Sequence, residues 1–480
     1  MSHTKAFVIL RNSGSLGLSR FAGRFFYFLL FIIIGRYLGP LDLGKFSFAL
    51  SFTAIFFLVN DLGISILAVR DVSQDKSKAG KYLGNIILLK LLLATFTFLA
   101  SFLALIFMGY PEETTTIVIL LGLASLLNHF SLSLRWVFQA YQKLEYESVT
   151  NLIQYLGYFI LGFSSLILNL GIIGIGYSQI ITGILITLLS WFIVSKRFHK
   201  IKIEIDLSFW KGLLRKSFSL SLLLVFTSLF LNADTVLLSF FKGEQTAGIY
   251  NAANRLAIAG RMVPATLIAA LFPIMSELAR ASQEDLKRIL EKSLALTVCL
   301  GLPLCLAVTF LSEKIILFFY GQEFISSASV LQIVIWGLFC MGLSVILGYA
   351  LISLEKQKIY TLITGLGLGV NLVLNLSLIP KLAQIGSSLA ITMTELVILV
   401  AAFYSIAKLL DFKLKVLIPS VVKISVASLV MLVVLYLTRD FHLLLIIGLG
   451  ALSYLAVLFS FNGIYGYNLC RVKELIFARM

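Results

Sequence analysis

Arg20, Arg24, Lys90, Arg135, Arg255, Arg261 and Lys423 stand inside long apolar stretches, and the acids among them are Asp61, Asp234 and Glu395. One such charge at the centre of a bilayer costs roughly 2.5–3.5 kcal/mol on insertion scales, so each is expected to face protein or a watery cavity. The bases outnumber the acids, and a cavity with that excess suits an anion. Phosphate or diphosphate is the natural guess, because a guanidinium offers it paired hydrogen bonds. Arg24, Arg255, Arg261 and Lys90 are the candidate binding residues. Plainer readings stand beside this one. Arg20, Arg135 and Lys423 near span ends would snorkel to headgroups, and Arg24, Arg255 and Lys90 would pair internally with Asp61 or Asp234. Asp61, Asp234 and Glu395 either pair with these cations or carry H⁺ or Na⁺. His129 and the intramembrane Asn residues read as interhelical hydrogen-bond partners.

Composition fixes what must position these groups. Hydrophobic residues make up 59% of the 480 and charged residues 13%, against roughly half and a quarter in soluble domains. That balance is an all-α polytopic membrane protein, with apolar runs of about 20 residues matching the hydrocarbon core. The candidate spans are 15–37, 44–68, 82–108, 115–139, 148–168, 172–195, 216–241, 247–273, 289–311, 327–353, 358–379, 384–408, 417–437 and 441–462. Lys and Arg crowd into alternate connections, and the other set holds only Arg36, Lys45, Lys242, Lys314, Lys381 and Arg439. By the positive-inside rule both termini are therefore cytoplasmic in a multi-pass protein of the cell membrane. The net charge of +16 then reports topology and anionic lipids rather than nucleic acid. Residues 1–13 are polar and basic and the apolar stretch after them is long, so the first span reads as retained and no signal peptide is expected.

Two hairpins echo each other. Gly39-Pro-Leu-Asp-Leu-Gly44-Lys-Phe46 and Gly243-Glu-Gln-Thr-Ala-Gly248-Ile-Tyr250 share one offset of 204 residues, which suggests the internally repeated design of many secondary transporters. The basic connection Lys196 to Lys216 is the expected linker between halves. This gives a six-helix bundle over 1–200, a second over 201–412, and two further helices with a cytoplasmic tail over 413–480. Pro264 and Pro273 are expected to kink the eighth span, and Ser276 to Lys292 reads as a charged amphipathic linker. Cys299, Cys305 and Cys340 in spans and Cys470 in the tail do not suggest disulfides. With no Walker loop, nucleophile elbow or metal-ligand spacing, the chain reads as a transporter without cofactor or metal, not an enzyme.

Arg36-Tyr-Leu-Gly-Pro-x-x-x-Gly44, Asn60-Asp-Leu-Gly63 leading to Arg70, and Asn232-Ala-Asp234 followed by Gly248-Ile-Tyr-Asn-Ala-Ala-Asn-Arg255 resemble the polysaccharide or O-antigen repeat-unit flippases. These belong to the multidrug, oligosaccharidyl-lipid and polysaccharide exporter superfamily. The resemblance implies a V-shaped pair of six-helix bundles that alternates access and moves an undecaprenyl-diphosphate-linked oligosaccharide from the cytoplasmic to the outer leaflet. It also implies that Arg24 and Arg255 meet the diphosphate, helped by Lys90 and Arg261. Membrane lipids, H⁺ or Na⁺, and polysaccharide polymerase machinery are the partners it suggests. A peptidoglycan lipid-precursor flippase shares the cationic cavity, whereas a multidrug or cation antiporter should carry a net acidic one. A membrane-embedded glycosyltransferase or polymerase would want a large outside loop, and the outside connections here are short.

Overall fold

Every regular element is a helix in the computed structural model, which describes residues 3–199, 204–412 and 414–461. Cys470 with the C-terminal tail, and residues 200–203 of the basic connection, lie outside them. The elements are α1 (His3–Phe57), α2 (Ile64–Gln74), α3 (Ala79–Met108), α4 (Glu112–Ala140), α5 (Leu144–Ile167), α6 (Gly171–Arg197), α7 (Leu207–Lys242), α8 (Glu244–Ala259), α9 (Met262–Ala281), α10 (Gln283–Phe319), α11 (Ser327–Ser353), α12 (Gln357–Leu410), α13 (Ile418–Leu437) and α14 (Leu443–Ser460). The all-α expectation holds. Among the described residues, eleven segments are long and apolar enough to cross a membrane, and the chain is a multi-pass membrane protein.

Two of these segments are too long for one crossing. Leu16–Asn60 has 45 residues and Gln357–Leu410 has 54, about 68 and 81 Å at 1.5 Å per residue against a hydrocarbon core of about 30 Å. Each turns back on itself. Gly39 takes φ 79°, ψ −178°, a conformation open to glycine, and Pro40 then starts the next helix. Ala383 takes φ 50°, ψ −129°, a strained choice for a residue with a Cβ. The segment expected at 247–273 is α8 and α9, separated at Gly260–Arg261. With these two turns the eleven segments make thirteen crossings, and α8 with α9 occupies the place of the remaining expected one.

The chain divides into two compact units, Met1–Asn251 and Ala252–Met480, with the boundary inside α8. In the first unit α1 packs against α4, α5 and α7, and α4 against α3 and α6. In the second, α11 packs against α9, α10 and α12, while α13 and α14 pack on each other and on α10. Cys299 and Leu311 of α10 bury against Ile424, Met431, Ile446 and Tyr454 of that C-terminal pair.

The 204-residue echo is visible in the backbone. Gly243, equivalent to Gly39, takes φ 82°, ψ 169°. Gly44 lies against the carbonyl of Glu244, and Gly248 against the carbonyl of Pro40. Since 40 and 244, and 44 and 248, are the equivalent positions, the contact is reciprocal, as a local two-fold relation requires. Glycine is needed at both places, because a Cβ would overlap the facing backbone.

One local expectation is corrected, and two connections gain detail. The eighth span breaks at Gly260–Arg261, ahead of both prolines: Pro264 falls in the first turn of α9, where its missing N–H costs nothing, and Pro273 lies inside α9. Ser276 to Lys292 is helical apart from Ser282, whose hydroxyl caps α10 through the amide of Asp285 at 3.2 Å. The second half of the basic connection is likewise docked. Asp206 caps α7 through Phe209 N at 2.9 Å and pairs with Lys81 at 2.8 Å, while its own amide donates to Asn85 Oδ1 at 2.9 Å.

Candidate functional site

The second crossing of the first unit is interrupted. After α1 comes a 3₁₀ turn, Leu58–Asn60, then Leu62 at φ 43° and Gly63 at φ 72° before α2 begins. Non-helical backbone at membrane depth persists only where protein or water satisfies it, and here the Ser221 hydroxyl of α7 donates to the Leu62 carbonyl at 2.8 Å. Asp61 sits in this break. Its carboxylate accepts from Lys90 Nζ of α3 and from Ser65 Oγ at 2.7 Å, and Lys90 also donates to Ser65 at 2.8 Å. The Lys90 side chain is 3% exposed and that of Asp61 28%. Next to them, Thr97 Oγ1 donates to the buried Asn60 Oδ1 at 2.9 Å.

A second polar group lies between α1, α4 and α5. Arg20 pairs with Glu147 at 3.0 Å. Arg135 donates to Asn151 and, at 3.0 Å, to Gln154, whose amide donates in turn to Asn128 and to the Tyr158 hydroxyl, both at 2.9 Å. Arg135 is 3% exposed, so it does not snorkel to the surface as its place near a span end suggested. Hydropathy locates a residue along a helix but not around it. Glu147, 5% exposed, was missed because it sits in the first turn of α5 beside a basic connection and read as a loop acid. Arg24, one turn beyond Arg20, is exposed.

Asp234, 2% exposed, accepts from the Tyr250 hydroxyl across the α7–α8 turn and from the amide of Thr235 at 2.8 Å. Thr235 in turn accepts from Asn251 Nδ2 at 3.1 Å. Tyr250 and Thr235 thus tie this acid into its own hairpin.

In the second unit Arg255 is half-buried and lies in electrostatic reach of Tyr320. Arg261 occupies the α8–α9 break and lines a cavity that also contains Asn254 and Glu395. Asn375 of α12 donates to Asn371 and accepts from Ser387 at 3.1 Å, the structural role expected of these amides. Lys423 donates weakly to the Phe461 carbonyl at 3.4 Å.

Outside the spans, Asp206 is held below the ordinary carboxylate range by its hydrogen bond from Lys81, with Ser208 and the Phe209 amide adding to it. Asp71 is likewise lowered: burial alone would raise it, but hydrogen bonds from Tyr82 and Arg70 outweigh that cost. Both anchor the same end of the first unit, where Tyr82, Trp136, Phe138 and Leu213 form its apolar core.

The chain matches a family model described as polysaccharide biosynthesis protein over residues 9–279 and the MatE model over 220–377. It is 22% identical over 386 residues to the capsular polysaccharide biosynthesis protein CapF of Staphylococcus aureus, covering 78% of this chain and 94% of that protein. To a putative O-antigen transporter of Shigella dysenteriae it is 24% identical over 344 residues, 71% of this chain and 85% of the other. Its fold is like that of the lipid II flippase MurJ in an inward closed conformation, with TM-score 0.77 and 20% identity over 94% of this chain and 99% of that one.

Proposed function

Because this chain belongs to the polysaccharide biosynthesis protein family, and is a transporter of the multidrug, oligosaccharidyl-lipid and polysaccharide exporter superfamily, we propose that it moves undecaprenyl-diphosphate-linked oligosaccharide repeat units across the cytoplasmic membrane. Movement to the outer leaflet supplies surface polysaccharide synthesis, with both termini cytoplasmic. The mechanism is alternating access, in which cations receive the diphosphate and release it on the other side.

The observation that carries this reading is the exposed guanidinium of Arg24 in the first span. Asp61 and Asp234 accept hydrogen bonds within their own unit, Asp61 from Lys90 and Asp234 from Tyr250. Arg24, by contrast, is exposed within an apolar helix. An exposed guanidinium at that depth belongs in a watery cavity. Arg24 in the first unit, with Arg255 and Arg261 in the second, are the cations each unit offers to the headgroup. Lys90 contributes by holding Asp61 in the helix break.

Cells lacking this protein are expected to lose surface polysaccharide and to accumulate the lipid-linked glycan on the cytoplasmic side. The parent gene restores export, while R24A and R255A produce the protein in the membrane without restoring it. Normal export in the deleted strain, with nothing accumulated, would overturn the assignment. The MatE match supports one other reading, a cation antiporter, which predicts drug sensitivity in the deleted strain and no accumulated glycan.

A further inference from the structure

The start of α7 presents a surface with no part in the proposed transport cycle. Leu207–Lys242 has 36 residues, about 54 Å at 1.5 Å per residue, against about 30 Å of hydrocarbon and about 40–45 Å of whole bilayer. Counted back from Lys242, Phe218 lies about 36 Å along the helix, Arg215 about 41 Å and Lys211 about 47 Å. A helix whose Gly243 turn lies at the far bilayer surface therefore leaves the hydrocarbon near Phe218. Arg215 and Lys211 then stand among the near headgroups.

This segment has two faces. Phe209, Trp210, Leu213 and Leu214 belong to the apolar core at this end of the first unit, where Leu213 is 3% exposed. The Phe209 ring packs edge-on against Tyr82 at 4.9 Å and lies under the Lys81 ammonium, and Asp206 caps the helix. These contacts hold the opposite face outward in a fixed orientation. That face carries Lys211 and Arg215, one turn apart and both exposed, with Phe218 on the same stripe at 69% exposure.

Two like charges one turn apart on a helix repel, and no acid among the described residues pairs with either. Asp206 is held by Lys81 and Asp71 by Arg70, while Lys216, on the far edge of the face, acts on Asp71. Their counter-charge comes from outside the chain. A phosphodiester on an apolar tail supplies it at the right depth, with the tail against Phe218 and the phosphate between two bases about 6 Å apart along the helix, one of them a guanidinium that offers paired hydrogen bonds. We propose that Lys211, Arg215 and Phe218 form a binding site for an anionic phospholipid of the leaflet that faces the start of α7. That leaflet is the cytoplasmic one in the proposed topology, on which this part of the assignment rests. An acidic protein segment would leave Phe218, at the hydrocarbon edge, without a partner.

The test places the full chain in phosphatidylcholine vesicles holding a trace of chain-spin-labelled phosphatidylglycerol or phosphatidylcholine, and reads the relative association of each lipid with the protein by electron spin resonance. Both leaflets carry the label, so the outcome depends neither on topology nor on transport. Two bases at the surface should favour phosphatidylglycerol at one site by up to about thirtyfold at low salt, and added salt should weaken the preference. K211Q/R215Q should lose most of it. K356Q/K358Q, which removes two exposed bases at the start of α12, makes the same change in net charge and should keep it. No preference in the parent, an undiminished one in K211Q/R215Q, or an equal loss in K356Q/K358Q overturns the proposal. Displacement of the labelled phosphatidylglycerol by an equal amount of polyprenyl-diphosphate-linked sugar would make this face a substrate site and overturn it as well.

Discussion

The reciprocal contact between Gly44 and Gly248 predicts that one substitution, glycine to alanine, changes stability in opposite directions at different helical positions. At Gly365 and Gly369 of α12 a Cβ meets nothing within 4 Å, so alanine should bring only its helix propensity, a gain of up to about 1 kcal/mol. At Gly44 the new methyl overlaps the Glu244 carbonyl, and at Gly248 that of Pro40. The obstacle is backbone, which cannot rotate aside, so the helices must separate at about 3 kcal/mol, the upper part of the overpacking range. Less the propensity gain, G44A should lose about 2 kcal/mol. G248A should lose a similar amount. Because either methyl pushes the same two helices apart, the second adds little once the first is present. G44A/G248A should fall short of the sum by 1 kcal/mol or more, measured by denaturant unfolding in detergent micelles. Additive losses, within about 0.5 kcal/mol, would refute the shared two-fold contact. G44A as stable as G365A would refute the close approach itself.

D61N leaves the buried Lys90 with an amide oxygen and Ser65 but no counter-charge and should cost about 3 kcal/mol, the lower part of the range for breaking a buried pair, while D61L/K90M should recover most of that loss in the same unfolding assay. A383G should be neutral to stabilising by about 1 kcal/mol, because the φ of 50° strains a Cβ-bearing residue. Asp206 has a lowered pKa when folded, because Lys81 holds the ionised form. Its contribution is therefore complete above the unfolded value of about 4 and disappears as pH falls below it. D206N should lower stability at pH 7 and flatten the acid limb below about pH 4, whereas an unchanged acid limb would mean the Lys81 pair contributes nothing.

Much of this architecture is legible in the sequence because the bilayer imposes a length and the topology rule sorts the charges. The turns at Gly39 and Gly243 could be read from glycine spacing, since a positive φ demands that residue type. Rotation about each helix axis could not be read. Lys90 therefore stood as a candidate anion ligand although its ammonium meets Asp61 and Ser65, and Arg135 stood as a snorkelling residue although Asn151 and Gln154 enclose it. The Arg261–Asn254–Glu395 cavity depends on α8, α11 and α12 converging, and no local pattern joins positions so far apart in the chain. The break at Asn60–Gly63 left a partial signal in its Asn-Asp-Leu-Gly run.

The most direct measurement is transbilayer movement of a fluorescent undecaprenyl-diphosphate oligosaccharide in proteoliposomes holding the parent, R24A or R255A, each verified as folded and inserted. The account predicts movement by the parent, lost in both variants. It is contradicted by a folded parent that moves no lipid under H⁺ or Na⁺ gradients, and movement that both substitutions leave intact would remove the two arginines from the mechanism.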